Sequence, residues 1–174
     1  YDGGGFDITG LTIVSSEDGQ GLFGYASQYT NLKNINLKEV DIKGNSYVGG
    51  LIGNFGFGQL ENCHVSGKVE GTGNFVGGLA GLYNNSNVGE GMKNCSTSVD
   101  VIGINYVGGL AGKSGYTTID SCYSKGSVKG VDIVGGLVGN VASHSTNVKV
   151  TNSYSLASVT TTTNGRVGGL VGLN

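Results

Sequence analysis

A hexapeptide pattern, Val-Gly-Gly-Leu-x-Gly, recurs through this chain of 174 residues and constrains its fold more than any other feature. Copies stand at residues 48–53, 76–81, 107–112, 134–139 and 167–172, with a degenerate copy, QGLFG, at 20–24. The tag leucines Leu22, Leu51, Leu79, Leu110, Leu137 and Leu170 are separated by 29, 28, 31, 27 and 33 residues. Steps of this size suit one supersecondary unit per repeat, stacked on its neighbours. A second register runs in phase: LKNI at 32–35, LENC at 60–63, MKNC at 92–95, IDSC at 119–122 and VTNS at 150–153. Six residues beyond its last position comes Val69, Val101, Val128 or Val159, whereas in the first copy Ile42 lies seven beyond, so one residue is inserted there. From tag leucine to second register the stretch is 9 residues after Leu51 and Leu110 but 13 after Leu79 and Leu137. Insertions such as YNNSNVGEG and NVASHSTN therefore fall on one side of the unit.

Each unit holds about three strand candidates and four or five apolar side chains. Burial of such a side chain contributes ~1.5–3 kcal/mol, while ordering the backbone costs on the order of 1–2 kcal/mol per residue. One rung cannot fold alone. Stacking rungs in register gives every strand ladder hydrogen bonds above and below at ~4.8 Å and joins the apolar positions into one core. The expected architecture is all-β: a repeat solenoid, a parallel β-helix of about six rungs with 27–33 residues per rung. It forms one segment over residues 1–174, with degenerate lead-in rungs at 1–44 and regular repeats at 45–174. Val48 and Leu51 are three apart and cannot both face inward along an unbroken strand, so the Gly49–Gly50 pair is expected to bulge or turn the chain. Asn34, Asn62, Asn94 and Asn152, with Ser121 as the exception, stand at a second parity break, where left-handed backbone and local hydrogen bonds suit a stacked corner.

Glycine supplies 35 positions and proline none, which disfavours long helices. No apolar run approaches the ~18 residues of a membrane helix, and no signal-peptide pattern opens the chain, so membrane insertion of this segment is not expected. Ten basic and twelve acidic residues leave a net charge of −2 without a basic stripe, which gives nucleic-acid binding little support. The segment starts at Tyr1 and stops directly after a tag, so any signal or anchor is expected outside it. The rung ending at Asn174 is expected to offer a strand edge for edge-to-edge self-association.

The tags, read as GLIG, GLAG, GLAG, GLVG and GLVG, resemble the GLUG repeat family, and YDGGGFDITGLTI followed by GLFG is similar to the lead-in rung of such repeats. The resemblance covers nearly the whole chain. It implies a right-handed β-helix and a place in large secreted bacterial proteins, among them predicted adhesins and IgA-specific metallopeptidases, with the repeats outside the catalytic domain. The motif carries no catalytic residue. The expectation is thus a non-catalytic scaffold or adhesion module, extracellular or at the cell surface, meeting a protein or glycan of a host or cell surface. The alternatives are the repeat region of a secreted IgA-type peptidase or a polysaccharide-processing β-helix.

No catalytic, cofactor or metal site is expected. Cys63, Cys95 and Cys122 share one repeat position with Ile35 and Ser153, as suits a small apolar ladder inside the coil. Stacking would also bring neighbours within disulfide reach, leaving at least one of the three unpaired. His64 and His144 are expected on the surface. The aspartates of DGGGFDI at 2–8 are expected to cap the first turns rather than hold calcium. Asp41, Glu61, Glu70, Glu90, Asp100, Asp120 and Asp132 are scattered, unlike the paired carboxylates of a glycosidase. Candidate ligand contacts are aromatic: Tyr47, Phe75 and Tyr106 stand immediately before the tag valine, with Ile133 and Arg166 continuing the column, and Tyr123 and Tyr154 form a second column. Facing outward, these rings would meet a glycan or protein; facing inward, they would be core.

Overall fold

The chain builds its rungs from short strands whose apolar positions repeat. In the computed structural model, which describes residues 1–27, 29–84, 91–142 and 148–174, no described residue is helical. All pairings between strands are parallel, and three sheets run the length of the coil, which is a right-handed β-helix. Among the described residues sheet A has 11 strands and carries the second register, for example Thr30–Gly44, Gly58–Gly71, Ser96–Ile102 and Tyr123–Gly130. Sheet B is formed by the tag valines, from Val48–Gly49 to Val167–Gly168, and sheet C by the segments that follow the tag leucines, from Phe23–Ala26 to Val171–Leu173.

Both sequence registers are strand registers. Val48, Val76, Val107, Val134 and Val167 pair in one column. Leu32, Leu60, Met92, Ile119 and Val150 form a second, and Ile42, Val69, Val101, Val128 and Val159 a third. Most of these side chains, with Leu51, Leu79, Leu110 and Leu137, are completely buried and form one continuous core. The inserted residue of the first copy is a β-bulge: between Leu37 and Val40 the register against the next rung slips by one, and Glu39 takes φ 56°.

The tag glycines do stand at the corner between sheets B and C, yet none of them has left-handed backbone. Close approach is what excludes a side chain. A Cβ on Gly49 would collide with the Ile52 carbonyl of its own turn, one on Gly50 with Val65 of sheet A, and one on Gly53 would lie 2.6 Å from the Tyr47 carbonyl. Left-handed backbone falls instead just before the tag, where the chain turns from sheet A into sheet B: Gly19, Tyr47, Phe75, Tyr106 and Ile133 have φ between 55° and 75°. For aromatic and β-branched residues this conformation is strained. A bend inside sheet A carries the second parity break: Asn34, Asn62, Asn94, Ser121 and Asn152 have φ between 49° and 55°. There Asn62 Nδ2 donates to Asn34 Oδ1 at 3.1 Å, and Asn34 Nδ2 donates to Asp2 Oδ1 at 3.0 Å.

Candidate functional site

Side chains at equivalent positions stack rung upon rung, so the outer surface is organised as columns. Tyr47, Phe75 and Tyr106 form a half-buried ladder with ring centroids 5.0 and 4.9 Å apart and planes within 16°. The Lys113 ammonium lies 5.9 Å from the Phe75 centroid. Ile133 continues the column but is buried, and Arg166 ends it with a two-point ion pair to Asp132, Nη2 to Oδ2 at 2.6 Å and Nε to Oδ1 at 3.3 Å. Hydrogen bonds from Arg166 hold the Asp132 carboxyl well below the usual carboxylate range.

Tyr123 and Tyr154 stack at 5.3 Å on the outer face of sheet A. Their column continues through Ser96, His64 and Asn36. Ser96, directly beside Tyr123, carries no ring, so the Tyr123 face turned away from Tyr154 looks into a groove of about 380 Å³. Along the groove His64 Nδ1 and Ser96 Oγ are hydrogen-bonded at 2.7 Å, Lys125 lies 5.1 Å from the Tyr123 centroid, and Lys38 pairs with Asp7 at 2.6 Å. His64 is exposed as expected, though its surroundings still remove enough water to push the imidazole below its ordinary value. His144 and Glu90 lie outside the described residues.

A third aromatic pair escaped the sequence reading. Phe55 and Tyr83 stack at 5.2 Å inside the core, with Tyr83 Oη donating to the Gly58 carbonyl at 2.6 Å. Each stands four residues after its tag leucine, a spacing visible in the sequence but hidden because Tyr83 opens an insertion.

The remaining constellations have structural partners. Cys63, Cys95 and Cys122 are free thiols buried in one column, and burial pushes the Cys95 thiol well above its ordinary value. The Cys95 amide donates to Cys122 Sγ at 3.4 Å and the Cys122 amide to Ser153 Oγ at 3.0 Å. Asp2 caps the first turn, accepting from the Gly4 amide at 2.9 Å and pairing with Lys33 at 3.4 Å. Among the acids, Glu70 is held below its ordinary range by Lys68, and Asp120 by the hydroxyl of Thr151 and the amide of Asn152. Asp41 and Asp100 flank Lys68 in one column, and Glu61 stands between Lys33 and Lys93 in another. These acids keep company with lysines and donors, the opposite of the environment that raises a general acid.

Comparison with known proteins agrees with this geometry. Residues 44–70 and 103–129 each match the GLUG motif, and each match spans one tag and the second-register segment after it. No curated protein matches the chain by sequence. Among solved structures the chain is similar to a Bacteroides ovatus protein provisionally named an immunoglobulin A1 protease, with a TM-score of 0.76 at 23% identity. The match covers 98% of this chain and 55% of that protein, so the chain spans about half the length of its structural relative. At this identity the likeness establishes the fold.

Proposed function

We propose that this GLUG-repeat coil is a non-catalytic scaffold and adhesion module of a bacterial extracellular or cell-surface protein, meeting a protein or glycan of a host or cell surface through its outer columns. The observation that carries the reading is the groove beside Tyr123, where an open ring face, a hydroxyl, an imidazole and two ammonium groups from successive rungs converge on one side of the coil. Such a surface offers apolar area and hydrogen-bond partners at a fixed spacing without mobile loops, which keeps the ordering cost of binding low. The test is attachment of coil-coated beads to immobilised glycans and matrix proteins, compared with a Tyr123→Ala/Tyr154→Ala variant of unchanged far-ultraviolet dichroism. The expected result is attachment that the double substitution abolishes. Failure of the parent coil to attach, or equal attachment by both, refutes the adhesive role.

A second reading is favoured by the structural likeness: the coil is the non-catalytic repeat region of a secreted IgA-type peptidase, setting the distance between a catalytic domain and its substrate. The sequence of the whole parent protein separates the two, since only this second history requires a peptidase motif beside the repeats.

A further inference from the structure

At the N-terminal end of the Tyr47–Phe75–Tyr106 ladder the column position belongs to Gly19. A Cβ built on Gly19 would meet only the Gly24 carbonyl, at 3.5 Å, so the space beneath Tyr47 is open. The Tyr47 ring has Phe75 over one face and, among the described residues, no stacked ring on the other. That face borders a cavity of about 330 Å³ lined by Asp18, Gly19, Gly24, Tyr25, Tyr47 and Asn54. Tyr25 lines it while remaining 65% exposed. The Asp18 carboxylate is fixed in place, its Oδ1 accepting from Asn45 Nδ2 and from the Ser46 amide, each at 2.9 Å.

We propose that this cavity binds the guanidinium or ammonium group of a side chain from a protein partner, seated against the open face of Tyr47 beside Tyr25, with Asp18 as its counter-ion. Charge decides between this occupant and a neutral sugar. The lining has one formal charge, a carboxylate, and neither Asp18 nor the adjacent Glu17 forms an ion pair among the described residues. Ring faces attract cations, and the next ring of the same ladder already has the Lys113 ammonium beside it. The site is separate from the Tyr123 groove and stands or falls without it.

The test is a titration of the isotopically labelled chain with tetramethylammonium and with N-acetylarginine amide, followed through the backbone amide resonances. Both probes are expected to give saturable shifts at Gly19, Gly24, Tyr25 and Asn54. Asp18→Asn is expected to weaken binding about tenfold, as is raising the salt from about 50 to about 500 mM. Because Asp18 also braces Asn45 and Ser46, the exposed Tyr25→Ser provides a second variant, expected to weaken binding severalfold at unchanged fold. Shifts of the same amides by methyl glucoside, insensitive to salt and to Asp18→Asn, would overturn the assignment in favour of a saccharide. Shifts spread over acidic residues elsewhere, or no saturable shift at these four amides, would overturn it outright.

Discussion

Two buried serines of this coil should respond to the same substitution with opposite sign. Ser114 follows Phe55 and Tyr83 in a core column of sheet C; it is completely buried, and its Oγ has no hydrogen-bond partner among the described residues. A buried hydroxyl without a partner costs about 1–3 kcal/mol. Ser114→Ala removes that cost and leaves a void of one oxygen, worth roughly 0.3 kcal/mol at about 24 cal/mol per Å³. The expected outcome is stabilisation by about 1–2 kcal/mol. Ser124 is equally buried, but its Oγ donates to the Gly136 carbonyl at 2.7 Å. That carbonyl also accepts from the Gly109 amide at 3.1 Å, so Ser124→Ala strands no acceptor and costs only the net worth of one hydrogen bond, about 0.5–1.5 kcal/mol. Urea unfolding of both variants should move the midpoints apart by about half a molar or more, with unchanged slope. Destabilisation by Ser114→Ala of the same size as by Ser124→Ala would refute the reasoning, because it would mean the Ser114 hydroxyl is bonded.

Glycine offers a matched pair as well. A Cβ on Gly109 would press on Ser124 Cβ at 2.8 Å, whereas one on Gly169, at the same tag position, meets nothing within 4 Å. Gly109→Ala is expected to destabilise by more than about 2 kcal/mol and Gly169→Ala to be neutral or stabilising by up to about 1 kcal/mol; equal thermal midpoints for the two would contradict the close-approach account. His64 predicts a pH dependence. Its folded value lies below the unfolded one, so the unfolded chain binds the proton more readily; the contribution is fully present above the ordinary histidine value and is lost as pH falls from there through the lower folded value. Melting between about pH 7.5 and 5 should decline less steeply in His64→Gln than in the parent, and parallel declines would show that His64 contributes nothing.

The sequence carried the coil because its information is one-dimensional. The paired spacings of tag and second register predict the columns Val48–Val76–Val107 and Leu60–Met92–Ile119, and a count of seven instead of six predicts the bulge near Glu39. The asparagine bend was legible because Asn advertises left-handed backbone by its identity. Tyr47, Phe75 and Tyr106 do not; nothing in an aromatic residue signals φ near 60°, and the role falls to them because the carbonyl of the pre-tag residue abuts the last glycine of the tag. Which ring face stays open was equally out of reach of spacing. It depends on the residue one rung away, Gly19 beneath Tyr47 and Ser96 beneath Tyr123, and so emerges only once the register is three-dimensional.

Parallel strand pairing throughout also fixes how the molecule responds to force. Hydrogen bonds between rungs, such as the Leu51 amide to the Leu79 carbonyl at 3.0 Å, point along the coil axis, whereas the peptide chain runs around it. Tension applied to the two ends therefore loads the bonds of the outermost rung one after another, like the teeth of a zip, while at each inner interface the same tension is shared among many bonds. With 27–33 residues per rung, each detached rung would pay out roughly 90–110 Å of chain at about 3.3 Å per residue. A coil of this kind yields in steps under tension, and the release of a single rung lengthens it several-fold, since a folded rung occupies only about 4.8 Å of the axis.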